Sequence, residues 1–195
     1  GNIFTAYKNQ TPLIITAGQQ ARSILPFDPY LFASQATDLP RPYVKWACEP
    51  ARAADVPRAL ARAYYMAMQA PRGPVFLSIP ADDWELETDW VNTRIVSQSI
   101  GPDPALLTKL YGELMQAQRP AIVTGAGVAR DNAVERLTRF AEMHQAAVYT
   151  APMSARCSFP ERHPLFMGFL PPMREKIVAR LQVHDFILVL GAPAF

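Results

Sequence analysis

A chain of 195 residues with Lys+Arg 19 against Asp+Glu 17 carries a formal charge of +2, without the dense basic runs that nucleic-acid binding asks for. Half of it is apolar and 18% is charged, the composition of a globular protein rather than a disordered one. Its longest apolar runs, such as Phe186 to Leu190, fall far short of the roughly 20 residues that cross a bilayer, which excludes a membrane helix.

In chain order, Ile3, Phe4 and Tyr7 have the spacing of a helix that ends near Gln10. Leu13 to Thr16 is a short apolar, β-branched run closed by Ala17-Gly18 and predicts a buried strand. Gln19 to Pro42 has no period and is broken by Pro26, Pro29, Pro40 and Pro42, so an ordered loop with at most one short helix is expected. Tyr43 to Trp46 reads as a brief strand. A helix follows from Asp55, its expected N-cap, to Gln69, with Val56, Leu60, Ala63, Tyr64 and Ala67 inward. Val75 to Ile79 is a second strand, ended by Pro80. The polar stretch from Ala81 carries Asp82 and Asp83, which read as a solvated acidic linker.

Beyond it the pattern restarts. Asp103-Pro104 is an N-cap followed by proline at the first helical position, opening a helix to Gln116 with Leu107, Leu110 and Leu114 inward. Strand 121–124, turn 125–127, helix 132–144, strand 147–150, a long loop, helix 173–182 and strand 186–190 complete the chain. Strands alternating with helices of this length predict an α/β fold of parallel sheets with flanking helices. The expected division is a domain over 1–90, a linker over 91–102 and a second domain over 103–195. Cys48 and Cys157 stand in unrelated settings, form no metal site or disulfide framework, and point to a reducing, cytoplasmic setting. The chain opens without an initiator Met and stops directly behind a strand-like run, so a piece of a larger protein is expected.

Two features invite chemistry. Gly125-Ala-Gly127 after a strand suggests a phosphate turn, but the third glycine position holds Arg130 and no acid follows the next strand, so a tight packing turn is the better expectation and a nucleotide-binding module the alternative. His163 lies in the proline-broken, aromatic loop from Pro152 to Pro171. An imidazole placed beyond the carboxyl end of a strand can trade protons with a ligand, and a histidine with structural partners explains the same residues equally well.

Taken together, Thr11 to Gln20 (TPLIITAGQQ), Leu39 to Trp46 (LPRPYVKW), Gly73 to Pro80 with Asp82-Asp83-Trp84, and the loop through Arg162-His163-Pro164 resemble the benzoylformate decarboxylase group of thiamine diphosphate-dependent 2-keto acid decarboxylases. The resemblance covers essentially the whole chain. It implies parts of two Rossmann-like domains, the end of a pyrimidine-binding domain and the start of a middle domain. It implies thiamine diphosphate and Mg²⁺ as cofactors of a longer parent, a homotetramer with sites at the dimer interface, and decarboxylation of an aromatic or hydrophobic 2-keto acid to the aldehyde. The motifs that hold the cofactor lie outside these residues, so the chain by itself is expected to be inactive. By the same resemblance His163 is the proton-transferring histidine, Tyr30 and Leu31 line the substrate pocket, and the backbone carbonyls of Asp38, Leu39 and Arg41 hold a structural cation. Tyr30 adds a ring and a hydroxyl to an aliphatic pair, which leaves the identity of the keto acid open. An enzyme of the acetolactate synthase or benzaldehyde lyase type and a non-catalytic assembly module are the other readings.

Overall fold

Val75-Phe-Leu-Ser-Ile79 has no polar face because it is given none: every residue of strand β3, Pro74–Pro80, is buried. It lies between β1, Leu13–Gln19, and β2, Ala47–Cys48, in a parallel sheet of order β1-β3-β2. Parallel strands covered on both faces become continuous apolar runs of this kind. Prolines sit only at the first and last positions of β3, where a missing N–H costs the ladder least. Helix α1 spans Asn2–Lys8, and α2 spans Val56–Met68. Ala63 and Ala67 of α2 lie on Val75, Leu77 and Ile79, and their small side chains bring the helix close to the sheet. The computed structural model describes residues 1–193 apart from 96, 98 and 99, so part of the expected linker 91–102 and the last residues of the expected second domain lie outside the described residues.

Three expectations about this half are corrected. The brief strand falls at 47–48 rather than 43–46, because Tyr43 N–H closes a turn on Pro40 O. Lys45 and Trp46 still meet β3, with Lys45 N–H donating to Pro74 O at 2.8 Å and Trp46 O accepting Phe76 N–H at 2.9 Å, while the Lys45 ammonium caps the end of α2 through the carbonyls of Met66 and Gln69. Burial there lowers the Lys45 pKa. Asp55 does not cap α2 with its side chain, since a 3-10 turn over Ala53–Asp55 precedes the helix and the carboxylate pairs with Arg52 at 3.0 Å instead. Tyr64 is exposed, about a quarter-turn from the stripe formed by Val56, Leu60, Ala63 and Ala67.

The chain folds as two compact units, Gly1–Ile100 and Gly101–Phe195. The second unit is a parallel sheet of order β6-β5-β4-β7, with β4 Pro120–Thr124, β5 Ala147–Thr150, β6 Phe166–Phe169 and β7 Phe186–Leu190. Alternate residues of the fully buried β4 feed two cores. Ile122 joins Val128, Leu137 and Phe159 on one face; Ala121 and Val123 join Tyr149, Leu170 and Leu181 on the other. Helices α3 Pro104–Gln116, α4 Ala126–Arg130, α5 Val134–His144 and α6 Arg174–Leu181 flank the sheet. Asp103 Oδ1 accepts the N–H groups of Ala105 and Leu106 at 2.8 and 3.3 Å, the cap expected of it. Of the three leucines expected inward on α3 only Leu114 is buried; Leu107 and Leu110 border an open apolar groove of about 480 Å³ with Leu137, Phe140 and Leu188. Strand β6 corrects the expected loop, which rests on Pro160, Pro164, Pro171 and Pro172; within the strand Gly168 takes φ +96.

The glycine turn after β4 interlocks with the one after β7. Gly125 N–H donates to Leu190 O at 2.9 Å and Gly127 N–H to Gly191 O at 2.8 Å. A Cβ on Gly191 would lie 2.5 Å from Val128 N, and its φ of +62 disfavours any side chain. Gly191→Ala is therefore expected to lower stability by roughly 2 kcal/mol or more, a sum of strain and overlap seen as a fall of several degrees in Tm. An unchanged Tm would show that the two turns yield freely.

Candidate functional site

Ligands of open parallel sheets collect beyond the carboxyl ends of the strands. At that edge of the first unit the strands deliver Gln19 from β1, Glu49 just after β2, and Ser78 and Asp83 at and beyond the end of β3. Gln19 is 6% exposed, and both ends of its amide are used. Its Oε1 accepts the N–H groups of Gln20 and Ala33 at 3.0 and 3.2 Å, while its Nε2 donates to Ala33 O at 2.9 Å and to Glu49 Oε2 at 3.5 Å. Ser78 Oγ donates to the same Glu49 oxygen at 2.6 Å.

Asp82 and Asp83, expected to be solvated linker, do specific work. Arg22 Nη2 and Nε donate to the two oxygens of the buried Asp83 at 2.6 and 3.3 Å, and Nη2 also donates to Pro50 O at 2.9 Å. The Asp83 hydrogen bond raises the Arg22 pKa further. Asp82 accepts the backbone N–H groups of Arg22 and Ser23 at 2.8 and 3.3 Å, and the first of these holds its carboxyl below the ordinary aspartate range. The segment 20–33 is thus tied down at its start by Asp82 and Asp83 and at its end by Gln19. Between the ties stand Tyr30, 90% exposed, and Leu31, 78% exposed, the two expected pocket residues. They are side by side on one loop at the carboxyl edge. Sequence reasoning missed the residues that hold them; the available signal was the abrupt change from apolar strand to Gln19-Gln20 and from Ile79-Pro80 to Asp82-Asp83.

The structure places His163 at a different edge. The loop that leaves β5 at Thr150 passes Phe159, buried in the core, and returns to start β6 at Phe166, which pairs with Val148. Leu165 O accepts Val148 N–H at 2.8 Å, so His163 has crossed to the amino edge of the sheet. There its Nδ1 accepts Leu165 N–H at 3.2 Å, which makes Nε2 the protonated nitrogen, 3.2 Å from Glu142 Oε1 in the last turn of α5. The ring also meets Phe159 edge-on at 5.2 Å. The premise that His163 lies beyond a strand's carboxyl end is corrected: an unexpected strand carries it to the opposite edge, where a backbone amide fixes its tautomer.

Asp38, Leu39 and Arg41 lie in successive turns. Asp38 O accepts Arg41 N–H at 3.0 Å, which leaves that carbonyl one lone pair, and the Asp38 carboxylate pairs with the Arg41 guanidinium at 3.1 Å. Among the described residues no group of three or more His, Cys, Asp or Glu is arranged to hold a metal. The amides of Gly125 and Gly127 are taken by carbonyls, which removes the donors a phosphate would need and speaks against the nucleotide reading. These residues do not make a site for a diphosphate and its cation. No helix among the described residues is long and apolar enough to cross a membrane.

Residues 107–194 match the profile of the thiamine pyrophosphate enzyme central domain. Over all of its length the chain is 42% identical to benzoylformate decarboxylase of Pseudomonas aeruginosa, of which it covers 38%. Among solved structures it is similar to benzoylformate decarboxylase from Polynucleobacter necessarius, with a TM-score of 0.94 and 46% identity over 99% of this chain and 36% of that one. The 4-hydroxybenzoylformate decarboxylase of Rhodococcus jostii RHA1 gives 0.92 and 36%, covering 99% of this chain and 37% of that one. The chain thus spans under two fifths of the length of these relatives.

Asp82 sets a pH dependence. Its folded pKa is depressed, so its contribution is present above the unfolded value of about 3.9 and is lost as pH falls through the lower folded value. Hydrogen exchange at the Arg22 and Ser23 amides, corrected for intrinsic rates, should be flat from about pH 8 to 5 and rise only in the acid range. A rise centred near neutrality would contradict the clamp.

Proposed function

Because the chain belongs to the thiamine pyrophosphate enzymes, we propose that the full-length protein carrying it decarboxylates an aromatic or hydrophobic 2-keto acid without oxidation, releasing the aldehyde and CO₂. The observation that carries this is identity to a benzoylformate decarboxylase along the entire chain. Residues 1–90 are then the end of the pyrimidine-binding domain, 91–102 a linker and 103–195 the start of the middle domain. The bound cofactor supplies the electron sink for loss of CO₂, with Mg²⁺ holding its diphosphate through residues outside this chain. The carbonyls of Asp38, Leu39 and Arg41 are the proposed ligands of a separate, structural cation.

Tyr30 and Leu31 contribute shape. They project from a loop fixed at both ends and form one wall for the substrate's side chain. Exposed large apolar groups on that segment and just beyond it, Phe27, Tyr30, Leu31 and Leu39, support an assembly in which a second subunit closes the site, within a cytoplasmic homotetramer. His163 is the proposed proton carrier, a role taken from the match of Arg162-His163-Pro164 to the family. To carry a proton the ring must become imidazolium, which requires Nδ1 to release the Leu165 N–H; in the neutral ring Nε2–H is a hydrogen-bond donor toward the exposed Glu142.

The test is the full-length protein with thiamine diphosphate and Mg²⁺, assayed for aldehyde and CO₂ from benzoylformate and a series of aliphatic 2-keto acids. Turnover of an aromatic or large hydrophobic member is expected, and failure on every one would overturn the reading. His163→Ala should lower kcat on the accepted substrates by about tenfold or more, at or below the usual scale of a missing acid or base. A kcat within about threefold of the parent, with only Tm reduced, would leave His163 a structural histidine that fixes the entry to β6.

A further inference from the structure

We propose that Gln19 is a positioning residue that sets substrate discrimination, acting through the loop that carries Tyr30 and Leu31; this rests on the reading of those two residues as a substrate wall. Gln19 touches neither side chain. Its buried amide takes both main-chain groups of Ala33, accepting the N–H and donating to the carbonyl, as a neighbouring strand would. Gln20 Nε2 donates to Tyr30 O at 3.2 Å from the same turn.

A second, independent observation is backbone conformation. Asp28 and Leu31, neither of them glycine, hold φ of +47 and +70. Such conformations are unfavourable for residues that carry a side chain and persist only where the surroundings over-determine them. Leu31 has no burial to repay that cost, so the bonds on either side of it carry the conformation. The Gln19 amide is the buried part of those bonds, since water competes little with a group that is 6% exposed. Glu49 completes it: the carboxylate accepts Gln19 Nε2–H and Ser78 Oγ–H, which orients the amide with its oxygen toward the Ala33 and Gln20 N–H groups.

Three variants of the full-length holoenzyme separate this from a structural role. Gln19→Leu keeps the volume and removes both bonds to Ala33. Gln19→Glu keeps the acceptor, loses the donor and sets a second carboxylate against Glu49. Gln19→Glu with Glu49→Gln removes that repulsion. The readout is the ratio of kcat/KM for the largest accepted 2-keto acid to that for the smallest, with hydrogen exchange at Ala33 as a measure of the loop. Gln19→Leu should reduce the ratio about tenfold or more, mainly through KM for the large substrate, and speed exchange at Ala33, because a displaced wall harms the substrate that leans on it. Gln19→Glu should reduce it further, and the double variant should recover part of the loss.

Equal loss on all substrates, or an unchanged ratio despite faster exchange at Ala33, would overturn the proposal. Tyr30→Ala and Leu31→Ala tell the two failures apart. If they change the ratio while Gln19→Leu does not, Gln19 alone is misassigned. If neither changes it, the substrate wall is misplaced and the proposal falls with it.

Discussion

In both units a central parallel strand is buried along its whole length, and this burial decides where polar chemistry can sit. Strand β3 is closed off by α2 and its two neighbours, and β4 by cores on both faces. A polar group inside such a strand is costly without a partner, and Thr124 Oγ1 in β4 is buried without one. Ser78 has the Glu49 carboxylate. In the first unit, polar groups gather instead at the strand ends, where Gln19, Glu49 and Asp83 stand. The carboxyl edge of that unit is therefore a rigid polar anchor, and the loops rooted in it inherit that rigidity.

Anchoring lets an exposed apolar loop keep a fixed shape. Tyr30 and Leu31 are bare in this chain, and an untethered loop bearing such residues would collapse onto the nearest apolar surface. Here the main chain is fixed by bonds that involve neither side chain. Shape and stability are thus separable: the identities at 30 and 31 can change without loosening the loop, while a change at Gln19 or Asp83 loosens it without altering what it displays.

The strands and most helices were legible in the sequence because burial writes itself as continuous apolar runs and helical spacing. Val75 to Ile79 can be read with little else, and Phe186 to Leu190 reads the same way although β7, at the edge of its sheet, is only partly buried. The sequence was less informative where a residue's partner lies far along the chain. Asp82 and Asp83 look like solvated linker until Arg22, some 60 positions earlier, is seen beside them. Lys45 looks like an ordinary residue beside a strand until its ammonium is found on the last carbonyls of α2. The family, and with it the proposal that Tyr30 and Leu31 line a pocket, was accessible only through resemblance of whole motifs, since no spacing rule points to either residue.

His163 shows the same limit from the other side. The loop rule places ligands after the carboxyl end of a strand, and the loop does begin there, at Thr150. It then runs far enough to span the sheet and start another parallel strand at Phe166. A loop of that kind has two ends at opposite edges, and position within it decides which edge a residue serves. Met153 is near the first; His163, three residues before β6 and bonded to the end of α5, belongs to the second. What the structure shows of His163 is therefore how its ring is held at that edge. An imidazole free to exchange tautomers presents either nitrogen, whereas the Leu165 N–H commits Nδ1 as acceptor and leaves Nε2 with the proton. Gln19 is oriented in the same way, its amide oxygen committed by the N–H groups of Gln20 and Ala33. In both places a main-chain donor next to a strand end decides which face of a planar polar side chain remains for other work, and that local commitment is invisible until the strand itself is located.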